Sequence, residues 1–232
     1  MQRHFDNELK ALSTDLLKMA TLTEEAIHKS IEALKSRDKA LAQKIIDEDR
    51  KVDELELKIE DRAINLLALR QPMAADLRFI TTGMRINSEL ERIADLAVNI
   101  SQGALILAGK PLLKPLVDIP KLSAIAGNMV KAAIDAFVQR DENMAKNVIL
   151  KDSQADNLRN LVQEELINEY MAKDCSTVSR AIPLLLIARH LERICDHATN
   201  IAEDIIYMVR AKVVKHHPEK LKNHARKKEN EK

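Results

Sequence analysis

Four pairs of carboxylates stand four residues apart in this chain: Asp49 with Asp53, Glu91 with Asp95, Asp152 with Asp156, and Glu192 with Asp196. On a helix that spacing puts both members of a pair on one face, about 6 Å apart, so both can reach one ion. Without a counter-cation such a pair repels itself by roughly a few tenths of a kcal/mol. A divalent metal reverses that sign, and ligands that are all oxygen favour hard ions such as Mg, Mn, Ca or Fe. The number of pairs is uninformative: 36 acidic residues in 232 would make roughly five to six by chance, and the sequence holds six, counting Glu56/Glu60 and Glu165/Glu169. Their positions carry more, because four of the six fall at corresponding places in an internal repeat. Duplicated but merely solvated charges are the competing reading of the same residues.

Other polar residues near the pairs read more plainly. Arg92 and Arg193 flank the acids, and Asn99 and Asn200 follow them, which suits hydrogen bonding and charge balance on a helix surface. His197 stands beside Asp196, but the first copy has Leu96 there, so it reads as a local surface residue. Arg70-Gln71-Pro72 reads as a helix stop, and Cys175 and Cys195, without CxxC spacing, read as inert thiols. There is no Glu-x-x-His set of the di-iron bundle type, no nucleophile with its base, and no Gly-rich phosphate loop. The sequence shows no catalytic machinery.

The elements that must position the pairs are long helices. Phe5, Leu9, Leu12, Leu16, Met19, Thr23 and Ala26 alternate steps of four and three, a single stripe with coiled-coil-like packing. A second stripe runs through Leu41, Ile45, Val52, Leu55, Ile59, Leu66 and Leu69, and a third through Ile86, Leu90, Ile93, Ala97, Ile100, Ala104 and Leu107. Gly109 to Pro120 then reads as a linker, and the pattern repeats. Arg37-Asp38, Asp49, Asp53, Leu55 and Ile64-Asn65 return as Arg140-Asp141, Asp152, Asp156, Leu158 and Ile167-Asn168, all 103 residues later. The stretch from Leu90 to Ile100 returns 101 residues later with 8 of 11 positions identical, which is hard to obtain by chance. The offset change predicts a shorter connection between the second and third helices of the second copy. Pro183 predicts a late start or a kink in its third helix.

The expected fold is all-α: two tandem antiparallel three-helix bundles, six helices in all, side by side about a pseudo-twofold axis, without strands. The first repeat spans 4–108, the linker 109–120 and the second repeat 121–212, with a basic tail at 213–232 expected to be disordered. Asp53 lies 19 residues before Pro72 and Glu91 lies 19 after it, so an antiparallel pair brings them level. The expected clusters are therefore Asp49, Asp53, Glu91 and Asp95, and Asp152, Asp156, Glu192 and Asp196.

Composition excludes several classes. With 4 Gly and 6 Pro there are too few turn formers for a sandwich or barrel. A net charge of +1, 5 aromatic residues and no Trp give neither a field nor a stacking platform for nucleic acid. The longest apolar run, Ala181 to Ala188, is far below the roughly 20 residues that span a bilayer. No apolar segment follows the first basic residue, so no signal peptide is expected, and a reducing cytoplasm suits the two isolated cysteines.

The duplicated unit, Arg70-Gln71-Pro72-x-x-x-Asp76-Leu77-Arg78, and Leu-Glu-Arg-Ile-x-Asp in each copy resemble the PhoU family from about residue 4 to 212. The family's usual Gly before that Asp is replaced by Ala94 and Cys195, which leaves the carboxylates in place. The resemblance implies a cytoplasmic, non-enzymatic adaptor that restrains the phosphate-starvation response and phosphate uptake when phosphate is plentiful. Its implied partners are the phosphate ABC transporter subunits, a sensor histidine kinase and a second copy of itself, with the membrane reached only through them. It also implies metal clusters, of iron, zinc, manganese or magnesium, on acidic motifs that coincide with the four pairs. A metal-binding helical protein with a catalytic or storage role is the alternative.

Overall fold

The computed structural model describes residues 2–211; the basic tail assigned to 213–232 lies outside them. Helix α1 runs Gln2–Ser36 and buries Leu9, Leu12, Leu16, Met19 and Thr23, as its stripe predicts. The next two residues form the whole hairpin turn. Arg37 adopts a left-handed conformation at φ 60°, and Asp38 caps α2 (Lys39–Glu48) by accepting from the Leu41 amide at 3.0 Å. The second copy does the same: Arg140 sits at φ 52° after α5 (Asp118–Gln139), and Asp141 caps α6 (Glu142–Glu165) by accepting from the Asn143 amide at 2.7 Å. Glycine would fit those backbones with less strain, but the arginine side chains are used. Arg37 donates to the Ala108 carbonyl at 2.9 Å and to that of Lys110, and Arg140 lies over the Phe79 ring, 4.8 Å from its centroid.

The second helix of the first unit is broken at Asp49 into α2 and α3 (Arg50–Arg70). Asp49 keeps helical angles (φ −55°, ψ −35°), and its carbonyl accepts from Val52 at 2.7 Å and Asp53 at 3.3 Å, so this is a tightened turn within one helix path. Gln71, left-handed at φ 47°, ends α3, and α4 runs Ala74–Ala108. In the second unit α6 passes into a π-helix at Leu166–Met171, a 3-10 turn at Cys175–Thr177 follows, and α7 runs Val178–Arg210.

One sequence expectation changes here. The connection in the second unit is not shorter, since 172–177 joins its helices where 71–73 serves the first. The missing residues come from the helix itself: α7 begins at Val178, 13 residues before Leu191, whereas α4 begins at Ala74, 16 before Leu90. Pro183 lies five residues inside α7, which starts three residues later relative to its motif than α4 does and runs on through the proline. The ring removes the amide that would bond the Ser179 carbonyl, and Lys110 of the linker donates to that carbonyl at 2.8 Å instead.

Within each unit every helix touches the other two, and between units the main contacts pair equivalent helices, α4 with α7 and α1 with α5. Like-with-like pairing is what a two-fold relation produces. The buried side chains of both units form one continuous core, and Phe79 stacks on Phe137 across the boundary, with centroids 4.9 Å apart. Among the described residues there is no strand. Leu69, expected in the second stripe, is 74% exposed at the end of α3, next to the exposed Met73.

Candidate functional site

The first groove forms where α2 and α3 lie along α4. The Asn87 side chain on α4 donates to the Glu56 carbonyl at 3.0 Å, fixing the register between the two helices beside the acids. Asp49 sits at the break, half-buried, and its carboxyl is pushed up to about 6, first by burial and then by the charges of Asp53 and Asp95. Glu91 is likewise raised by burial and then by Asp95, Glu56 and Asp53, with Arg92 pulling weakly the other way. The four expected carboxylates are therefore electrostatic neighbours, and Glu56 joins them, itself raised by burial and by Glu60 and Asp53.

The second groove lies between α6 and α7. Asp152 is pushed up to about 6 by burial and then by Asp156, Asp196 and Glu192, and Asp196 is raised by burial, Glu192 and Asp156. All four expected residues again share one electrostatic environment. A groove of about 620 Å³ beside them is lined by Arg159, Arg189, Glu192, Arg193 and Asp196 among others, while Asp152 and Asp156 do not line it.

The surroundings of the two sets of acids differ in charge at two positions. Offset by 103, Glu56 corresponds to Arg159, whose guanidinium Nη2 donates to Glu192 Oε1 at 3.0 Å while Nη1 donates to Asn160 at 2.8 Å. Offset by 101, Ser88 corresponds to Arg189. Glu56 was visible in the sequence only as a member of an unduplicated pair, and that failure to duplicate is the signal that marks it.

Among the described residues, no three His, Cys, Asp or Glu side chains converge so as to hold a metal ion as they stand. In donor chemistry the first cluster fits a hard cation: it is all carboxylate oxygen, and Asp53 and Asp95 are exposed. The second fits less well, because Arg159 already engages Glu192.

Three other residues depart from their sequence reading. His197 is not on the surface: its side chain is 11% exposed, and Nδ1 lies 2.6 Å from Glu89 Oε2 across the α4–α7 interface, where Asn200 also donates at 3.3 Å. No local sequence signal could show this, because the partner comes from the other unit. Arg70 does more than precede a helix stop, forming a two-pronged pair with Glu8 of α1 at 2.9 and 2.7 Å. Cys195 is fully buried, and burial with the neighbouring carboxylates pushes its thiol up, while Cys175 is exposed.

The comparisons with known proteins follow the same outline. The PhoU domain matches twice, at residues 16–104 and 119–205. The chain is similar to a phosphate-specific transport system accessory protein PhoU homolog of Aquifex aeolicus, 43% identical over 90% of this chain and 94% of that protein. A homolog from Zymomonas mobilis is 37% identical over 90% and 87%. The crystal structure of PhoU from Pseudomonas aeruginosa superposes with a TM-score of 0.86 at 33% identity, covering 90% of this chain and all of that one. A PhoU from Streptococcus pneumoniae, described as a phosphate transport system regulatory protein, gives 0.85 at 29% identity. Both halves of the chain carry the domain and the relatives match it nearly end to end, so this chain belongs to the PhoU family.

Proposed function

We propose that this chain is an accessory and regulatory protein of phosphate uptake, which acts without turnover and keeps phosphate-starvation genes silent when phosphate is abundant. The observation that carries this reading is the end-to-end match to accessory proteins of phosphate-specific transport, in sequence and in fold. The chain would couple the phosphate ABC transporter subunits to a sensor histidine kinase. Two similar units fused through one core offer two related faces on a rigid body, which suits holding two partners at once. Tethering both on one body raises their effective concentration, so each contact can be modest. No helix among the described residues is long and apolar enough to cross a membrane, which supports a cytoplasmic protein that reaches the membrane through its partners.

A hard divalent cation at Asp49, Asp53, Glu91 and Asp95 belongs to the same proposal. Its support is the accumulation of half-buried carboxylates whose charges raise one another, a repulsion that a cation would relieve. Bound there, the ion would tie α2 and α3 to α4.

The deciding experiment is a deletion strain grown in high phosphate with a starvation-gene reporter, complemented by the wild type or by Glu91→Ala with Glu192→Ala. Deletion is expected to switch the reporter on and the wild type to silence it. A reporter that stays silent in the deletion strain sinks the regulatory reading. Full silencing by the double variant leaves regulation standing and removes the acidic pairs from it.

A further inference from the structure

We infer that the arginine-lined groove between α6 and α7 binds inorganic phosphate, with Arg189 and Arg193 holding its oxygens and Asp196 accepting the proton that the ion retains. The inference deepens the regulatory reading above and rests on it for the choice of phosphate among protonated oxyanions.

Three guanidinium groups line this groove, those of Arg159, Arg189 and Arg193. Only the last has an arginine counterpart in the first unit, Arg92; the other two stand where that unit has Glu56 and Ser88. The second unit has thus gained positive charge at the place where the first accumulates negative charge. Arg159 is committed: its Nη2 donates to Glu192 Oε1 at 3.0 Å and its Nη1 to Asn160 Oδ1 at 2.8 Å, which offsets the Glu192 charge. Arg189 and Arg193 are exposed, and neither forms an ion pair among the described residues. The His190 imidazole beside Arg189 is held below its ordinary value by burial and then by the charges of Arg193 and Arg189. Four residues apart on α7, the two guanidinium groups share one helix face, an unfavourable pairing of like charges until an anion lies between them. Each is a planar fork of donors that matches two oxygens of an oxyanion.

The neighbouring carboxylate decides which anion. Asp196 lines the same groove, three residues beyond Arg193. A carboxylate and a fully ionised oxyanion offer each other only acceptors, so they repel without a hydrogen bond to compensate. The orthophosphate dianion differs, because it still carries one O–H, and that O–H donates to a carboxylate. Sulfate has no such proton at neutral pH, and a phosphate monoester has lost its own above about pH 6. One carboxylate beside two arginines therefore selects inorganic phosphate by its proton. No aromatic ring lines the groove, so the base of a nucleotide would find nothing to stack on. Water reaches both arginines and screens them, which keeps the affinity modest, as suits an ion that must leave when it becomes scarce.

The test is isothermal titration calorimetry of the full-length protein, stripped of metal ions, at pH 8. Inorganic phosphate, sulfate and glycerol 3-phosphate are compared, three dianions that differ in the retained proton. Phosphate is expected to bind with a dissociation constant of about 1 mM or tighter, and at least about tenfold more tightly than the other two. Arg189→Gln and Arg193→Gln should each weaken it at least about tenfold, the loss of one charge-assisted hydrogen bond. Arg92→Gln, at the corresponding position of the first unit, should leave it unchanged. Asp196→Ala should cut the preference for phosphate over sulfate at least about tenfold. Absence of phosphate binding overturns the inference, as does binding that survives both arginine substitutions or a preference that survives Asp196→Ala. Sulfate bound by the wild type as tightly as phosphate overturns it too, and that comparison depends on no variant's folding. The outcome is separable from the reporter test. A protein that binds no phosphate yet silences starvation genes loses this site and keeps its regulatory role. One that binds phosphate although its deletion leaves the reporter silent keeps the site and loses the role.

Discussion

Asp49 and Asp152 are carboxylates held where ionisation is costly, each pushed to about 6 by burial and by its acidic neighbours. A raised carboxyl means that the folded chain takes up a proton more readily than the unfolded one, so each group destabilises the metal-free fold above pH 6 and ceases to as the pH falls toward the ordinary carboxylate range. Glu142 works in the opposite sense. Arg210 and Lys146 hold it down to about 2, so its contribution is present at neutral pH and is lost as the pH falls below the ordinary range. The metal-free protein is therefore expected to be most stable between about pH 4.5 and 6. Asp49→Asn, freed of the charge, should melt roughly 2–4 °C higher than the wild type at pH 8 in chelator, a gain of about 1 kcal/mol after allowing for solvent screening. At pH 4 the two should coincide, and a gain of equal size at both pH values would show that repulsion is not its source. These residues were legible in the sequence as pairs because i,i+4 spacing and duplication are local facts. Arg159 opposite Glu192 was present as a broken repeat, but its meaning depends on which helix faces which. The Glu89–His197–Asn200 contact was out of reach, because it joins residues 108 and 111 apart in the chain.

At the scale of the element, periodicity located the helices because apolar stripes follow directly from 3.6 residues per turn. It could not locate the break at Asp49, where the apolar stripe runs on through Ile45 and Val52 and the backbone angles stay helical. The Arg-Asp dipeptide was likewise visible as a repeated motif, while its left-handed arginine runs against the usual preference for glycine and is explained only by what the side chains reach. Pro183 illustrates how a helix tolerates a breaker. Its cost falls on one carbonyl, that of Ser179, and a lysine from the linker between the units answers it at 2.8 Å. Lys110→Met should then cost about 0.5–1.5 kcal/mol, the range for one hydrogen bond at a partly solvated site. In a Pro183→Ala background the helix supplies its own amide to Ser179, and the same Lys110→Met change should cost much less. A double-mutant cycle in urea measures the difference; equal costs in the two backgrounds would mean that Lys110 does not compensate for the proline.

The whole molecule is two repeats in sequence but one body in packing, and the reason lies along α4 and α7. Gly103 lets the helices approach so closely that a Cβ there would stand 3.0 Å from Ile187 Cδ1 and 3.1 Å from its Cγ1. Further along, Arg85 pairs with the buried Asp204 at 2.9 Å, Arg78 donates to the Met208 carbonyl at 3.1 Å, and Glu89 meets His197 and Asn200. With core and polar contacts both crossing the boundary, neither unit can unfold while its neighbour stays intact without exposing apolar surface of both. Calorimetry of the metal-free protein is therefore expected to show a single cooperative transition, with calorimetric and van't Hoff enthalpies equal. Gly103→Val tests the cause. In an isolated helix valine is the better residue by a few tenths of a kcal/mol, so a purely local effect would raise the melting temperature. At this interface two extra methyl groups must displace Ile187, and overpacking costs about 1–3 kcal/mol, lowering the single transition by several degrees in a chain of this length. Two resolved transitions in the wild type would mean that the repeats fold independently, and a stabilising Gly103→Val would mean that the close approach is not needed. A single transition that falls with Gly103→Val is what the proposed adaptor role would need, because a displacement felt by one unit can reach the other only if the two move as one.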